Sequence, residues 1–172
     1  RYEVTDNCNA SCIMCPREQH ENARPHGIMD LEKYKRSIDE VVSLGAKKIV
    51  LTGFGEPLID KTLEQKIAYA KAKDLNTYII TNGSLVNRAR AKSLIEAGLD
   101  EMRVSFYGMR PETYNVVMEK LDFHVATNNL LGFLEERSLR GLKKPKLGLS
   151  YLVMKENESD VEAFRLYWEP RA

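Results

Sequence analysis

The chain alternates between strand-like and helix-like segments almost from end to end, and this alternation restricts the folds open to it. The strand-like segments are rich in Val, Ile, Leu, Tyr and Thr. Several are nearly continuous apolar runs, which is typical of parallel strands covered on both faces. We therefore predict an α/β domain of about five β-α units, with strands at Tyr2–Thr5, Lys48–Thr52, Thr77–Thr81, Glu101–Phe106 and Lys146–Met154.

The helical segments between these strands carry start and stop signals. Asp30 is a candidate N-cap for the first helix, and Gly45 is placed to end it. Ser159 and Glu162 have the spacing of a capping box ahead of the last helix. Strands joined in this way form an open parallel sheet or a barrel, and ligands bind at the carboxyl ends of the strands. The remaining helices are predicted at Asp60–Lys73, at Val86–Ala97 and over the apolar stripe from Phe123 to Leu134.

Length and composition indicate an ordinary globular domain spanning residues 1–172, with 43% hydrophobic and 30% charged residues. Lysine and arginine number 26 against 25 acidic residues. Because nucleic-acid-binding domains usually show a strong basic excess, no nucleic-acid partner is expected. We find no apolar run long enough to cross a bilayer and no signal-peptide pattern at the start, so we expect no membrane partner and a cytoplasmic location.

The three cysteines, Cys8, Cys12 and Cys15, all fall within eight consecutive residues. A disulfide framework normally uses an even number of cysteines spread through the chain, so this cluster points to metal ligation. Spacings of three and two residues let one loop place its thiolates around one side of an iron–sulfur cluster. A cubane cluster normally takes four cysteines, so three would leave one iron open to another ligand.

Two other uses of the cysteines remain open from the residues alone. A structural zinc site could recruit His20 or His26 as its fourth ligand, although such sites usually draw ligands in two pairs. The chain would then be a non-catalytic zinc-binding module. A redox dithiol formed by Cys12 and Cys15 would leave Cys8 without a role. The ordered motifs at the later strand ends favour the iron–sulfur cluster, because a structural zinc loop needs none of them.

The cysteine loop directly after the first strand resembles the signature of the radical S-adenosylmethionine (SAM) superfamily. The resemblance continues along essentially the whole chain and implies a partial (β/α)6 barrel. Phe54 stands where the family often has glycine, and Tyr107 where related sequences often carry aspartate. The remaining strand-end motifs follow in the family's order: Gly53-Phe54-Gly55-Glu56-Pro57, Thr81-Asn82-Gly83 and Ser105-Phe106-Tyr107-Gly108.

This resemblance implies an enzyme that reductively cleaves SAM at a [4Fe–4S] cluster to give a 5′-deoxyadenosyl radical, which abstracts hydrogen from a substrate. It implies a low-potential electron donor such as flavodoxin or ferredoxin. The carboxylate of Glu56 suits the ammonium group of SAM. The residues that the resemblance assigns to the cluster are Cys8, Cys12 and Cys15, and those assigned to SAM are Met14, Gly55, Glu56, Asn82, Ser105 and Ser150.

The last part of the chain carries a second resemblance. Tyr151–Asn157 and Asp160–Trp168 are similar to the stretch that precedes the auxiliary-cluster domain of SPASM and twitch radical SAM enzymes. Those enzymes modify peptides, or oxidise or epimerise sugars and cyclitols. We therefore expect a small-molecule or peptide substrate, and further chain after residue 172 that completes the barrel and adds an auxiliary-cluster domain.

Overall fold

The computed structural model of the protein describes residues 1–17 and 26–171. It confirms the α/β fold class: within this part of the chain four parallel strands form one sheet in the order β1-β2-β3-β4. The strands are β1 Lys48–Leu51, β2 Asn76–Thr81, β3 Glu101–Ser105 and β4 Lys146–Ser150, and the helices are α1 Leu31–Ser43, α2 Leu63–Ala72, α3 Arg88–Glu96, α4 Pro111–Val117, α5 Phe123–Leu139 and α6 Val161–Trp168, with 3-10 helices at Pro57–Ile59 and Glu158–Asp160.

The two faces of the sheet differ in burial. Ile49, Ile79 and Val104 lie on the face that joins helix side chains in one hydrophobic core. Because successive side chains of a strand point to opposite faces, their neighbours in sequence lie on the other face. On β3 that other face carries the half-buried Ser105 and the exposed Arg103. The helices therefore cover one side of the sheet and leave polar groups on the other.

The start and stop signals of α1 act as predicted. The Asp30 carboxylate accepts a hydrogen bond from the Lys33 amide at 2.9 Å, which satisfies one of the free N–H groups of the first turn. Gly45 follows the helix with φ +87°, a conformation that residues with a Cβ rarely adopt. No helix in the described part of the chain is both long and apolar enough to span a bilayer.

The first predicted strand, Tyr2–Thr5, is not a regular strand. Tyr2 forms a single parallel bridge with Leu51, and Thr5 a single antiparallel bridge with Ile28. The chain leaves β1 because the Val4 carbonyl accepts a hydrogen bond from the Met29 amide at 2.7 Å. The segment therefore joins the sheet edge to the approach to α1, and its prediction as a full strand is wrong.

The predicted strand Lys146–Met154 is too long, since β4 ends at Ser150. The fully buried Asn157 accounts for the difference. Its amide nitrogen donates to the carbonyls of Leu152 and Tyr107, and its amide oxygen accepts from the Met154 amide. These bonds fold residues 151–154 into a loop and take up groups that a continuing strand would use.

The capping box predicted from Ser159 and Glu162 is also wrong. The N-cap of α6 is Asp160, and its carboxylate makes no capping bond. Instead this buried carboxylate accepts hydrogen bonds from the Met109 amide and the Thr113 hydroxyl, and it pairs with Arg110. A tertiary contact with the start of α4 has displaced the local cap.

Two other helices differ from their predictions. The seven-residue helix α4 was not predicted; its signals are Pro111 at its first turn and the buried Tyr114 and Val117 three residues apart. The segment predicted as Asp60–Lys73 becomes helical only at Leu63. There the Asp60 carboxylate accepts from both the amide and the hydroxyl of Thr62, forming a turn before the helix begins.

A buried ion pair between Lys66 and Asp60 fixes the start of α2. The side chains are 0% and 1% exposed, and the Lys66 Nζ lies 2.5 Å from Asp60 Oδ2. The same ammonium donates to the Met29 carbonyl and lies 5.9 Å from the centroid of the Tyr34 ring. The pair therefore joins α2 to the segment before α1. Its acidic member, Asp60, lies four residues after the loop residue Glu56.

Replacing Lys66 with methionine should lower the free energy of unfolding by about 3–5 kcal/mol, because it leaves the Asp60 carboxylate buried without its cation. Urea denaturation measures the change. The matched control is Lys73→Met, whose ion pair with Asp39 has side chains 38% and 49% exposed. It should change stability by less than about 1 kcal/mol. Equal losses in the two variants would contradict the prediction.

Candidate cofactor site

A cavity of about 260 Å³ lies where the cysteine loop meets the carboxyl ends of β1, β2 and β3. Parallel strands end at one edge of a sheet, so the loops that follow them meet there. The cavity brings together eight of the nine residues that the sequence analysis assigned to the cluster and to SAM: Cys8, Cys12, Met14, Cys15, Gly55, Glu56, Asn82 and Ser105.

The ninth residue, Ser150, lies beside the cavity. It is the last residue of β4 and is paired in register with Ser105 on β3. Its carbonyl accepts from the Phe106 amide at 3.0 Å, and its hydroxyl lies 3.5 Å from the Val104 carbonyl. It does not line the cavity. Its assignment to SAM stays a prediction.

The cysteine loop is held against the end of α4 by its backbone. The Ser11 amide donates to the Glu119 carbonyl at 3.0 Å, and the Ile13 amide donates to the Val117 carbonyl at 3.2 Å. Carbonyls at the end of a helix have no partner within the helix and accept such bonds readily. α4 therefore anchors the metal-binding loop.

The three cysteines are free thiols in half-buried positions. Burial, together with negative charge on Cys8 and Cys15, raises the pKa of the Cys12 thiol to about 12. Burial also raises the pKa of Cys8, while Arg17 acts in the opposite direction on both thiols. A bound metal supplies the positive charge that deprotonates such thiols. This donor set fits an iron–sulfur cluster, which is held by thiolates.

No three Cys, His, Asp or Glu side chains in residues 1–17 and 26–171 are placed to hold a single metal ion. A zinc ion needs each of its sulfurs at about 2.3 Å, whereas a cluster spreads its cysteines over different irons. His26 faces the Asp6 carboxylate at 3.4 Å. His20, the other histidine proposed for zinc, lies outside the described residues.

Glu56 joins the ends of β1 and β2 from a position that is only 2% exposed. Its carboxylate accepts hydrogen bonds from the Thr81 hydroxyl at 2.7 Å, the Asn82 amide at 2.7 Å and the Leu58 amide at 3.0 Å. Burial raises the pKa of this carboxyl, and the three donors offset the rise in part. A carboxylate offers about four acceptor positions, so one remains for a ligand in the cavity.

The backbone on either side of Glu56 packs against the start of the cysteine loop. The Glu56 amide donates to the Asn7 carbonyl at 2.8 Å. A Cβ on Gly55 would lie 2.3 Å from the Thr5 carbonyl oxygen and 2.6 Å from that of Asn7. Only glycine allows this approach, because the opposing atoms are backbone. The Gly-Glu pair therefore sets the distance between the β1 loop and the cysteine loop.

Asn82 ties the loop after β2 to the cysteine loop through its side chain. Its amide nitrogen donates to the Asn9 side-chain oxygen at 2.9 Å, and Asn9 in turn donates to the Ser84 hydroxyl at 2.9 Å. The Asn82 side-chain oxygen accepts from the amide and the hydroxyl of Ser84. Asn82 lines the cavity, but much of its bonding capacity supports the loops.

Several side chains that shape this site were not predicted from the sequence. The Thr81 hydroxyl orients Glu56, and Asn9 pairs with Asn82. Met118 places its sulfur 3.7 Å from the Cys12 sulfur. The Tyr107 hydroxyl donates to Ser105 at 3.1 Å and its side chain lines the cavity. The only sequence signal for the first two was their position inside the cysteine and Thr-Asn-Gly motifs.

The profile of the Radical SAM superfamily matches residues 2–166, nearly the whole chain. This chain belongs to the radical SAM superfamily. Among curated relatives, Fe-coproporphyrin III synthase of Methanosarcina barkeri is 33% identical over 94% of this chain and 38% of its own length. A GTP 3',8-cyclase of Pelotomaculum thermopropionicum is 36% identical over 66% of this chain and 35% of its own length. The chain thus spans little more than a third of either relative.

Solved structures share the fold at lower identity. The structure of BtrN in complex with AdoMet and 2-DOIA has a TM-score of 0.58 and 23% identity, covering 92% of this chain and 55% of BtrN. Streptococcus suis SuiB bound to the precursor peptide SuiA has a TM-score of 0.70 and 13% identity, covering 95% of this chain and 35% of SuiB. These radical SAM neighbours agree with a partial barrel of the predicted type.

Radical SAM proteins are enzymes that use a [4Fe–4S] cluster and SAM. Family membership therefore confirms the predicted cofactors. The family's cofactors and the enzymes among its members favour the iron–sulfur cluster over the alternative in which the cysteine loop is a structural zinc module without catalytic function.

Replacing Gly55 with alanine should lower the free energy of unfolding by about 1–3 kcal/mol, because the new methyl group forces two backbone segments apart. The cysteine loop moves with them, so less iron should be retained after reconstitution. Thermal denaturation and iron content measure the two effects.

The matched control for Gly55→Ala is Gly132→Ala in α5, where a Cβ meets nothing within 4 Å. Alanine should stabilise that helix by about 0.5–1 kcal/mol and leave iron content unchanged. Full stability and full iron content in the Gly55→Ala protein would contradict the close packing described above.

Proposed function

We propose that this chain carries the SAM-cleaving site of a radical SAM enzyme, with Cys8, Cys12 and Cys15 holding the [4Fe–4S] cluster. One observation carries the proposal: the three cysteines line the same cavity as Glu56 at the carboxyl ends of parallel strands. When bound, the cluster and SAM supply the electron transfer that splits SAM into methionine and a 5′-deoxyadenosyl radical. Three cysteines leave one iron open for SAM.

The protein's own residues bind and orient SAM in this proposal. Glu56 keeps one acceptor position for the SAM ammonium group, and that cation would favour its ionised form despite burial. Met14, Gly55, Asn82 and Ser105 line the remaining wall, and Ser150 lies next to it.

The substrate in this proposal is a peptide or a sugar or cyclitol, from which the radical abstracts a hydrogen atom. The support is the resemblance of residues 151–168 to the stretch before the auxiliary domain of SPASM and twitch enzymes. We propose a flavodoxin or ferredoxin as the electron donor and the cytoplasm as the location. An auxiliary-cluster domain C-terminal to residues 1–172 belongs to the same proposal.

The proposal predicts that anaerobic reconstitution with iron and sulfide gives a dithionite-reduced protein with a [4Fe–4S] EPR signal that SAM perturbs. Replacing Cys12 with alanine should abolish both the signal and the formation of 5′-deoxyadenosine, because only two cluster ligands remain. The matched control is Ser11→Ala in the same loop, since this hydroxyl has no partner in the described part of the chain. It should keep both. Full activity in the Cys12→Ala protein would contradict the proposal.

Replacing Glu56 with glutamine should weaken SAM binding by roughly tenfold or more, the usual cost of losing a hydrogen bond to a charged group. The cluster signal should remain, because Glu56 is not one of its proposed ligands. Titration of the cluster EPR change with SAM gives the affinity. Glu40→Gln on the exposed side of α1 serves as the control and should leave the affinity unchanged. If SAM affinity in the Glu56→Gln protein equals that of the control, the Glu56 carboxylate stabilises the loops and does not bind SAM.

A further inference from the structure

The sheet face opposite the core carries a second group of polar side chains below the cofactor cavity. On β3 this face presents Glu101, Arg103 and Ser105, which alternate with the buried Met102 and Val104. Ser105 lines the cofactor cavity. Arg103 is two residues away along the strand, which places the two Cα atoms roughly 7 Å apart.

Arg103 is exposed and lacks an ion pair. Within the described part of the chain no carboxylate lies within 4.0 Å of its guanidinium, whose central carbon lies 5.7 Å from the centroid of the Tyr78 ring. The nearest acid on its own face of β3 is Glu101, which is already bound to Lys48 at 2.9 Å. The guanidinium is therefore held by an aromatic face and keeps its hydrogen-bond donors for another partner.

The neighbouring positions add positive charge and space. Lys146 begins β4 opposite Glu101 in the register, is exposed, and makes no ion pair in residues 1–17 and 26–171. The residue opposite Arg103 is Gly148, where an added Cβ would meet nothing within 4 Å. A depression of about 170 Å³ lies here. Its lining residues are Tyr78, Glu101, Met102, Arg103, Lys146, Leu147 and Gly148.

We propose that Arg103, supported by the Tyr78 ring and by Lys146, binds an oxyanion of the substrate, either a carboxylate or a phosphate group. Arginine suits this task because its planar fork donates two parallel hydrogen bonds to such a group. With Lys48 neutralised by Glu101, Arg103 and Lys146 leave an excess of two positive charges on this part of the face. Neither Arg103 nor Lys146 forms an ion pair within the described part of the chain, although Glu101 lies opposite Lys146 in the register.

The position of the site links it to the chemistry at the cofactor cavity. A substrate whose anionic group lies at Arg103 would place atoms roughly 7 Å away beside Ser105, at the wall of the cavity. That span matches a sugar phosphate or a carboxylate side chain of a peptide. The inference rests on the proposed function, because it places the substrate against the proposed SAM site.

The test is calorimetric titration of the full-length protein, with SAM present, using pyrophosphate and succinate as separate probes at low ionic strength. We expect one saturable site for at least one probe. Arg103→Gln should weaken it roughly tenfold or more, because a charged hydrogen bond is lost. Arg103→Lys, which keeps the charge without the planar fork, should recover part of the affinity. The matched control Arg36→Gln changes an exposed arginine on α1 and should bind like the wild type.

The two probes distinguish the sources of the oxyanion. Binding of pyrophosphate alone assigns a phosphate group, and binding of succinate alone assigns a carboxylate. The inference is overturned if neither probe saturates, if Arg103→Gln binds like Arg36→Gln, or if either probe displaces SAM. Thermal denaturation of each variant separates lost binding from lost folding. The EPR signal of the same samples tests the proposed function separately, since anion binding needs no cluster reduction.

Discussion

The hydrogen bonds of Glu56 are the interaction on which the site depends. A buried carboxylate is costly unless donors surround it, and here the donors come from the β1 loop and the end of β2. The amide of the same residue binds the Asn7 carbonyl just before the cysteine loop. One residue therefore holds three chain segments in register, and the cofactor cavity is the space left between them.

The cysteine loop has a second support on its far side. Its amides bind carbonyls at and just beyond the end of α4, and the sulfur of Met118 meets that of Cys12. α4 is in turn joined to the start of α6 through Asp160, whose carboxylate binds the Met109 amide and the Thr113 hydroxyl. The position of the thiols thus depends on residues more than one hundred positions later in the chain.

The sheet face that the helices leave uncovered carries two different electrostatic environments. Near the carboxyl ends of the strands, the cavity holds thiols and a carboxylate, which suit metal and ammonium groups. Nearer the amino ends of the strands, Arg103 and Lys146 suit an anion. Parallel topology creates this arrangement, because every strand presents its side chains in rows at matching heights. A ligand that spans the two rows would be oriented by charges at both ends.

The sequence by itself determined the features that depend on local pattern. The apolar runs located four parallel strands, Asp30 and Gly45 marked the ends of α1, and the strand-end motifs collected eight of nine predicted site residues at one cavity. These signals are readable because periodicity, caps and motif spacing act over a few residues.

Only the tertiary structure decided where contacts between residues distant in sequence override local preferences. Asn157 forms hydrogen bonds with the chain after Ser150, so β4 ends earlier than predicted. The Asp160 carboxylate binds residues near α4 and therefore does not cap α6. Thr81 became the partner of Glu56 across 25 positions of sequence. In each case a buried polar group must be satisfied, and which distant group satisfies it is set by packing rather than by any short pattern.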